Sequence, residues 1–319
     1  MSAVPLERLP TEPPEVVAAR TIEGRSPLRL AWARLRRDRV AMASAVTITV
    51  LICVALGAPL IAHLVGHDPY TQYRETGLTP DGLPIGPNRE FLLGTDNLGR
   101  DLLVRIVYGT RISLLVGVVS TMLAVAAGVV VGLAAGYFRG AIDTFLARFM
   151  DVVLSFPFLL FAIALVSIVG PSLTVSIFVI AFFSWAAVGR IVRGQALSIR
   201  EKEYVEAARS LGAGDLRIMF VEVLPNLMAP VIVYATLLIP TAIVFESTLS
   251  FLGLGVVPPT PTWGNMLADS LQFYQVAWWY LLFPGLALLA TTLAFNLLGD
   301  SVRDALDPGT ERLFARGPR

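Results

Sequence analysis

Charge is what this sequence has least of. Only 15% of its 319 residues are Asp, Glu, Lys or Arg, against roughly 25% in an average soluble domain. The deficit is concentrated: no charged side chain occurs over 40–67, 112–138, 152–189, 223–245 or 270–299. Buried helices of a large soluble protein would keep a polar face at helical period, and these stretches have none, which excludes that class. The single cysteine, Cys53, lies in the first apolar stretch; it can form no intramolecular disulfide, and an inert packing role is expected. The single lysine, Lys202, stands between two glutamates. A P-loop needs Gly-Lys followed by Ser or Thr, so no such nucleotide site is encoded. The two histidines, His63 and His67, share one edge of an apolar stretch, which leaves no Ser/His/Asp set. A net charge of +1 gives no ground for nucleic-acid binding. Nor does the start read as a signal peptide, since the first apolar stretch begins only near Val40 and is too long for an h-region.

Apolar length is what the sequence has in excess, at 55% hydrophobic residues. Crossing ~30 Å of hydrocarbon takes about 20 helical residues. Each charge-free stretch holds one such helix, and the third holds two, divided by Gly170-Pro171-Ser172. The expected architecture is all-α and polytopic, with six transmembrane helices near 41–65, 112–137, 145–169, 173–193, 229–255 and 277–299. Residues 1–40 read as a tail, with a short amphipathic helix near Leu28–Arg37. Residues 66–111 form an outer loop, 112–300 a five-helix core containing the loop 194–228, and 301–319 a C-terminal tail. Basic residues set the orientation. On the side shared by the N-terminus lie 20 of the 25 Lys and Arg, so both termini are expected in the cytoplasm.

The cytoplasmic loop is the informative one. Its first half is rich in helix formers and ends at Gly212, a plausible C-cap. Asp215 is placed to N-cap a second short helix, which Pro225 would end before the fifth span. Tyr204, Ala207, Ala208 and Leu211 fall at i, i+3, i+4 and i+7, one apolar stripe with small residues at its middle. Such a stripe suits docking into a groove on another protein or lying on the membrane or the protein's own bundle, and spacing does not choose between them. Glu206-Ala207-Ala208, then Gly212, then Val223-Leu224-Pro225 resemble the EAA loop of ABC importer permeases. In that family the segment is the coupling helix, seated in a cleft of the ATP-hydrolysing subunit. Glu222 departs from the general pattern, which favours an apolar residue there; the peptide branch often tolerates a polar one.

Two further strings resemble the C-type permease subunit of dipeptide, oligopeptide and nickel importers. They are Leu93-Gly94-Thr95-Asp96-Asn97-Leu98-Gly99-Arg100-Asp101, and Glu246 to Gly255 followed by Pro258-Pro259 and Trp263-Gly264. The resemblance runs from about residue 90 to the C-terminus. It implies the type I ABC importer permease fold and half of a translocation pathway for di- or oligopeptides. The partners it implies are a homologous second permease in a heterodimer, two ABC ATPase subunits that bind ATP and Mg, and an extracytoplasmic substrate-binding protein. No cofactor or metal is expected in this chain, which is a transport subunit of a bacterial inner membrane and not an enzyme. Nickel-chelate and glutathione permeases share the motifs. An ion-gradient-driven transporter is the rival, disfavoured because broken helices in matching repeats are not found. A membrane enzyme or scaffold subunit is disfavoured by the empty catalytic inventory.

Glu246 is an acid within an uncharged span and is therefore a functional candidate. It is expected near the outer end of its helix, where hydration lowers its cost, lining the path or holding an outer gate with Ser250 nearby. Pro157, beside Phe156, is expected to kink the third span. Arg148 and Asp151 are spaced to pair on one helix face. His63 and His67 are placed at the interface and not on a metal, and Asp96 and Asp101 in capping and turn roles. Trp278-Trp279-Tyr280 reads as an aromatic anchor at the outer interface.

Overall fold

In the computed structural model, which describes residues 27–306, every charge-free stretch is mainly helix, while 271–277 forms a turn before the last helix. A short helix α1 (Pro27–Leu35) precedes α2 (Arg39–Leu56) and α3 (Ala58–Val65). After an irregular outer segment come α4 (Leu102–Phe138), α5 (Gly140–Ser155), α6 (Phe158–Val169) and α7 (Leu173–Arg200). The cytoplasmic loop holds α8 (Glu203–Ser210), the single turn α9 (Asp215–Arg217) and a π-helical segment, Ile218–Val223. Then follow α10 (Leu224–Phe251), α11 (Trp263–Ser270) and α12 (Trp278–Leu306). Among the described residues there is no strand, only the isolated bridges Leu78–Pro84 and Thr95–Asp101. Five helices are long and apolar enough to cross a bilayer, or six when α5 and α6 count as one span.

Two expected spans are broken. The 41–65 helix divides at Gly57, because Pro59 in the first turn of α3 has no N–H for the preceding turn. The 145–169 helix is not merely kinked at Pro157: α5 and α6 meet at 83°. Pro157 has extended backbone and caps α6 without a side-chain bond, so two helices replace one. Cys53 is exposed on this chain, not packed in its core.

Helix α4 is the spine, and α7 lies closest to it. Gly128, Gly132 and Gly136 repeat every four residues along α4, so their stripe lets backbones meet. A Cβ on Gly132 would strike the Gly189 carbonyl of α7 and lie 2.8 Å from Val192 Cβ. Toward the outer end, Leu114, Ile243, Trp263, Met266 and Tyr280 join α4, α10, α11 and α12 in a second packed cluster. At the inner end, Asp38 N-caps α2 through Val40 N (2.8 Å) and accepts the Ser301 hydroxyl (2.9 Å), which ties the first span to the last. The Ser301 bond, then the Val40 bond, hold the Asp38 carboxyl below its usual range.

The segment around 93–101 is a buried ion network. Asp96 accepts the Arg100 guanidinium at 2.6 Å and that of Arg105 at 3.1 Å, with all three residues buried. It also takes the Leu98 and Arg100 N–H groups, each at 2.9 Å, which is its turn role. Asp101 N-caps α4 through Val104 N (3.0 Å) and accepts His67 Nδ1 at 2.6 Å. His67 therefore locks the end of the first span to the start of the second, stacked on Phe91 at 4.8 Å. The 278–280 string is only partly an anchor. Trp278 is exposed, but Trp279 donates to Thr95 O (3.3 Å) and Tyr280 donates to Asn97 (3.3 Å), both rings being buried against the outer segment.

Candidate functional site

The cytoplasmic surface carries α8 as a projecting helix. Val205, 0% exposed, pins it to the inner core beside Ile218, Met219 and Val223. Ala208 is half-buried against that core. Tyr204, Glu206, Ala207 and Leu211 are exposed, Leu211 at 88%. The expected four-residue stripe is thus divided: Ala208 turns toward the bundle while the other three face outward. The reason is that α8 is held by Val205, which sits off the stripe and rotates the helix about its axis.

Gly212 ends α8 at φ +84°, a left-handed conformation that glycine adopts without strain. Gly212 N donates to Arg209 O (3.0 Å) and Ala213 N to Ala208 O (3.1 Å), the bonding of a Schellman cap. Asp215 is not an N-cap. Gly214 occupies that position, and the Asp215 carboxylate instead accepts the Tyr137 hydroxyl of α4 at 2.7 Å. Pro225 does not end the second helix either. Helical backbone runs on from Asp215 to Phe251, with Leu224 and Pro225 in the first turn of α10. The π-helical turn before them bonds over a longer interval and absorbs the missing proline N–H.

The loop is tied to the spans on both sides. Arg200 donates to Tyr137 O and lies over the Tyr137 ring at 5.8 Å, and Arg139 pairs with Glu201. The Tyr137 hydroxyl also stabilises the charged Arg209 guanidinium and moves its pKa upward. The loop thus contacts α4 and the end of α7 through Asp215 and Glu201, and the inner core through Val205.

Glu246 lies five residues before the outer end of α10 and is 0% exposed. Hydration does not lower its cost; three serines do. Ser113 of α4 donates to Oε2 (2.9 Å), Ser250 to Oε1 (2.8 Å) and Ser247 to Oε2 (3.4 Å). Ser250 in turn accepts Val256 N (3.3 Å) from the turn after α10. The cage joins α4, α10 and the loop leading to α11. Next to it, Phe245 stacks on Phe158 at 4.3 Å, immediately after the Phe156-Pro157 break. Phe156 is exposed. Glu246 and Ser250 are thus brought together in the cage, whereas the Phe156-Pro157 break is linked to it only through the neighbouring Phe158–Phe245 stack.

Arg148 and Asp151 stand 3.9 Å apart, the outer limit of a pair, and Asp151 is bound more closely by Arg190. Among the described residues no three His, Cys, Asp or Glu are grouped to hold a metal. Two functional contacts had no local signal in the sequence: Tyr137 to Asp215 and Ser113 to Glu246, 78 and 133 residues apart. Val205 had a faint one, an apolar residue off the main stripe.

Known proteins resemble this chain over most of its length. The family described as "Binding-protein-dependent transport system inner membrane component" matches residues 128–312, and the N-terminal TM domain of oligopeptide transport permease C matches 26–80. The di/tripeptide transport system permease protein DppC of Pseudomonas aeruginosa is 44% identical over 283 residues, covering 89% of this chain and 92% of that protein. The dipeptide transport system permease protein DppC of Escherichia coli is 44% identical, covering 89% and 93%. The glutathione transport system permease protein GsiD of Pectobacterium atrosepticum is 40% identical, covering 89% and 92%. Among solved structures, an inward-facing MetNI methionine ABC transporter aligns with TM-score 0.54 at 18% identity, covering 64% of this chain and 96% of that one. That likeness is one of fold.

Proposed function

The chain belongs to the family of binding-protein-dependent transport system inner membrane components, as a multi-pass permease subunit, and on that premise we propose that it forms half of an ATP-driven import pathway for short peptides. A homologous second permease supplies the other half. Two ABC ATPase subunits bind ATP and Mg, and a substrate-binding protein delivers the peptide to the outer surface. The observation that carries this is α8: a short helix pinned at Val205 by its inner face, with Tyr204, Ala207 and Leu211 uncovered. An apolar face of this kind at the end of a tightly packed bundle fits a groove in a partner. Gly212, Asp215, Leu224 and Pro225 set its exit angle, and Glu206 lies on its exposed side.

ATP-driven closure of the ATPase pair would move α8, and α4 and α7 would follow through the Tyr137–Asp215 and Arg139–Glu201 contacts. At the outer end, the Glu246 cage holds α4, α10 and the following turn as one body, a gate-holding role for Glu246 and Ser250. The Phe156-Pro157 break is the flexible element of the path. Peptide as substrate is supported by the di/tripeptide and dipeptide relatives; the glutathione relative favours a second reading, a γ-linked tripeptide.

Ala207→Arg tests the coupling role. It places a long cation on the exposed face of α8 without altering buried packing. Peptide uptake is expected to be lost while membrane insertion is retained, and normal uptake by this variant would overturn the assignment.

A further inference from the structure

The inner mouth of the bundle holds a charged cavity that neither the coupling helix nor the Glu246 cage uses. It has a volume of about 290 Å³ and lies between α5, which contributes Asp143, Arg148 and Asp151, and α7, which contributes Arg190 and Arg193. Arg193 donates to both Asp143 oxygens, the Nη2–Oδ2 bond being 2.9 Å. Arg190 pairs with Asp151. Arg148 stands apart, 3.9 Å from Asp151 and with its side chain 81% exposed. Three cations thus face two anions, and Arg148 keeps most of its five N–H donors free for another acceptor.

Helix α5 exposes Phe145, Phe149 and Val152 at i, i+4 and i+7, a separate apolar side suited to lipid or to another subunit. Charged side chains at the end of a span face water or protein. The cavity walls also lead to different elements. Helix α7 ends at Arg200, three residues before α8 begins at Glu203, whereas α5 ends at the 83° break. The Arg193–Asp143 and Arg190–Asp151 pairs tie the two walls together, so the α5 wall is joined to the helix that leads into α8.

We propose that this cavity is an anion-accepting release site at the inner end of the pathway, where Arg148 receives the side-chain carboxylate of an acidic transported peptide. The proposal rests on the peptide-import reading. Its volume suits a dipeptide, and the surplus cation favours a peptide whose side chain carries negative charge. A guanidinium accepts a carboxylate or a lipid phosphate by the same paired N–H geometry, so the test must separate the two.

The assay is uptake into proteoliposomes by the complete transporter with its binding protein, using Ala-Asp, Ala-Ala and Ala-Lys. Wild type is compared with Arg148→Gln, Arg148→Lys and Arg148→Glu. The same binding protein delivers each peptide throughout, so a change in the ratios between wild type and variant reports the preference of this chain. Because Arg148 is exposed, substitution removes no packing. Arg148→Gln should lower Ala-Asp uptake relative to Ala-Lys by roughly threefold to fivefold, the scale of an exposed ionic contact. Arg148→Lys should restore the wild-type order, and Arg148→Glu should invert it. Equal loss for all three peptides overturns the site and leaves peptide import standing. A change that follows the anionic-lipid content of the vesicle, and not the peptide charge, assigns Arg148 to a lipid phosphate and also overturns it. Wild type that imports none of the three peptides refutes the substrate reading, and the site falls with it.

Discussion

Leu211→Ala separates the folded chain's needs from the docking surface. Leu211 is 88% exposed and caps α8 only through its backbone, Leu211 N donating to Ala207 O at 3.0 Å. The substitution keeps that bond and leaves the Gly212 turn intact. The isolated chain should therefore keep its thermal midpoint, since exposed positions without special roles shift stability by less than about 0.5 kcal/mol. In the assembled transporter the side chain is expected to be covered. Three carbons removed at about 0.8 kcal/mol each amount to about 2.4 kcal/mol of lost burial. At about 1.4 kcal/mol per decade, that is roughly 50-fold weaker association with the ATPase subunits. The measurement is a titration of purified ATPase subunits onto the chain in nanodiscs, beside a thermal melt of the chain alone. Val205→Ala is the contrasting variant: Val205 is fully buried, so its loss should lower the midpoint of the chain itself. Unchanged affinity for Leu211→Ala, with an unchanged melt, would refute the docking role of this face.

Glu246→Ala should destabilise the outer end by about 2–4 kcal/mol, since it strands the Ser113 and Ser250 hydroxyls in a buried site, and Glu246→Gln should cost less because the amide oxygen still accepts one of them. Thermal melts of the purified chain check the order, and equal melts for the two variants would contradict the cage. Burial, the largest cause, raises the Asp269 carboxyl above its usual range, against the lowering influence of Arg100 and then Arg105. A folded pKa above the unfolded one gives a contribution that is full below the unfolded pKa and lost as pH rises through the folded pKa. Asp269→Asn should therefore raise the melting temperature near pH 7 and bring no gain near pH 2.5, well below the unfolded value of about 3.9, where the carboxyl is neutral in both states. A gain of equal size at both pH values would refute that assignment.

Much of the architecture was legible from one physical constraint. Hydrocarbon tolerates neither charge nor unpaired backbone, so span number, helical state and orientation are written in where charge is missing and where Arg gathers. The helix of the cytoplasmic loop was legible for a related reason: a soluble helix between two spans needs its own formers and its own cap, and Glu206 to Gly212 provides both. Breaks were less legible. Pro157 marks a discontinuity, but its angle depends on what α5 and α6 pack against.

Side-chain partnership was decided by tertiary structure alone. The 93–101 segment reads as a motif, yet only folding brings Arg105 onto Asp96, His67 onto Asp101 and Trp279 onto Thr95. Glu246 announces itself as an anomaly, but Ser113, which satisfies it, comes from another helix. Val205 and Leu211 lie on and at the end of the same short helix and are both apolar; one is wholly buried and the other 88% exposed. Periodicity reports how often a helix returns a residue to one face, whereas the bundle it leans on determines which face is covered.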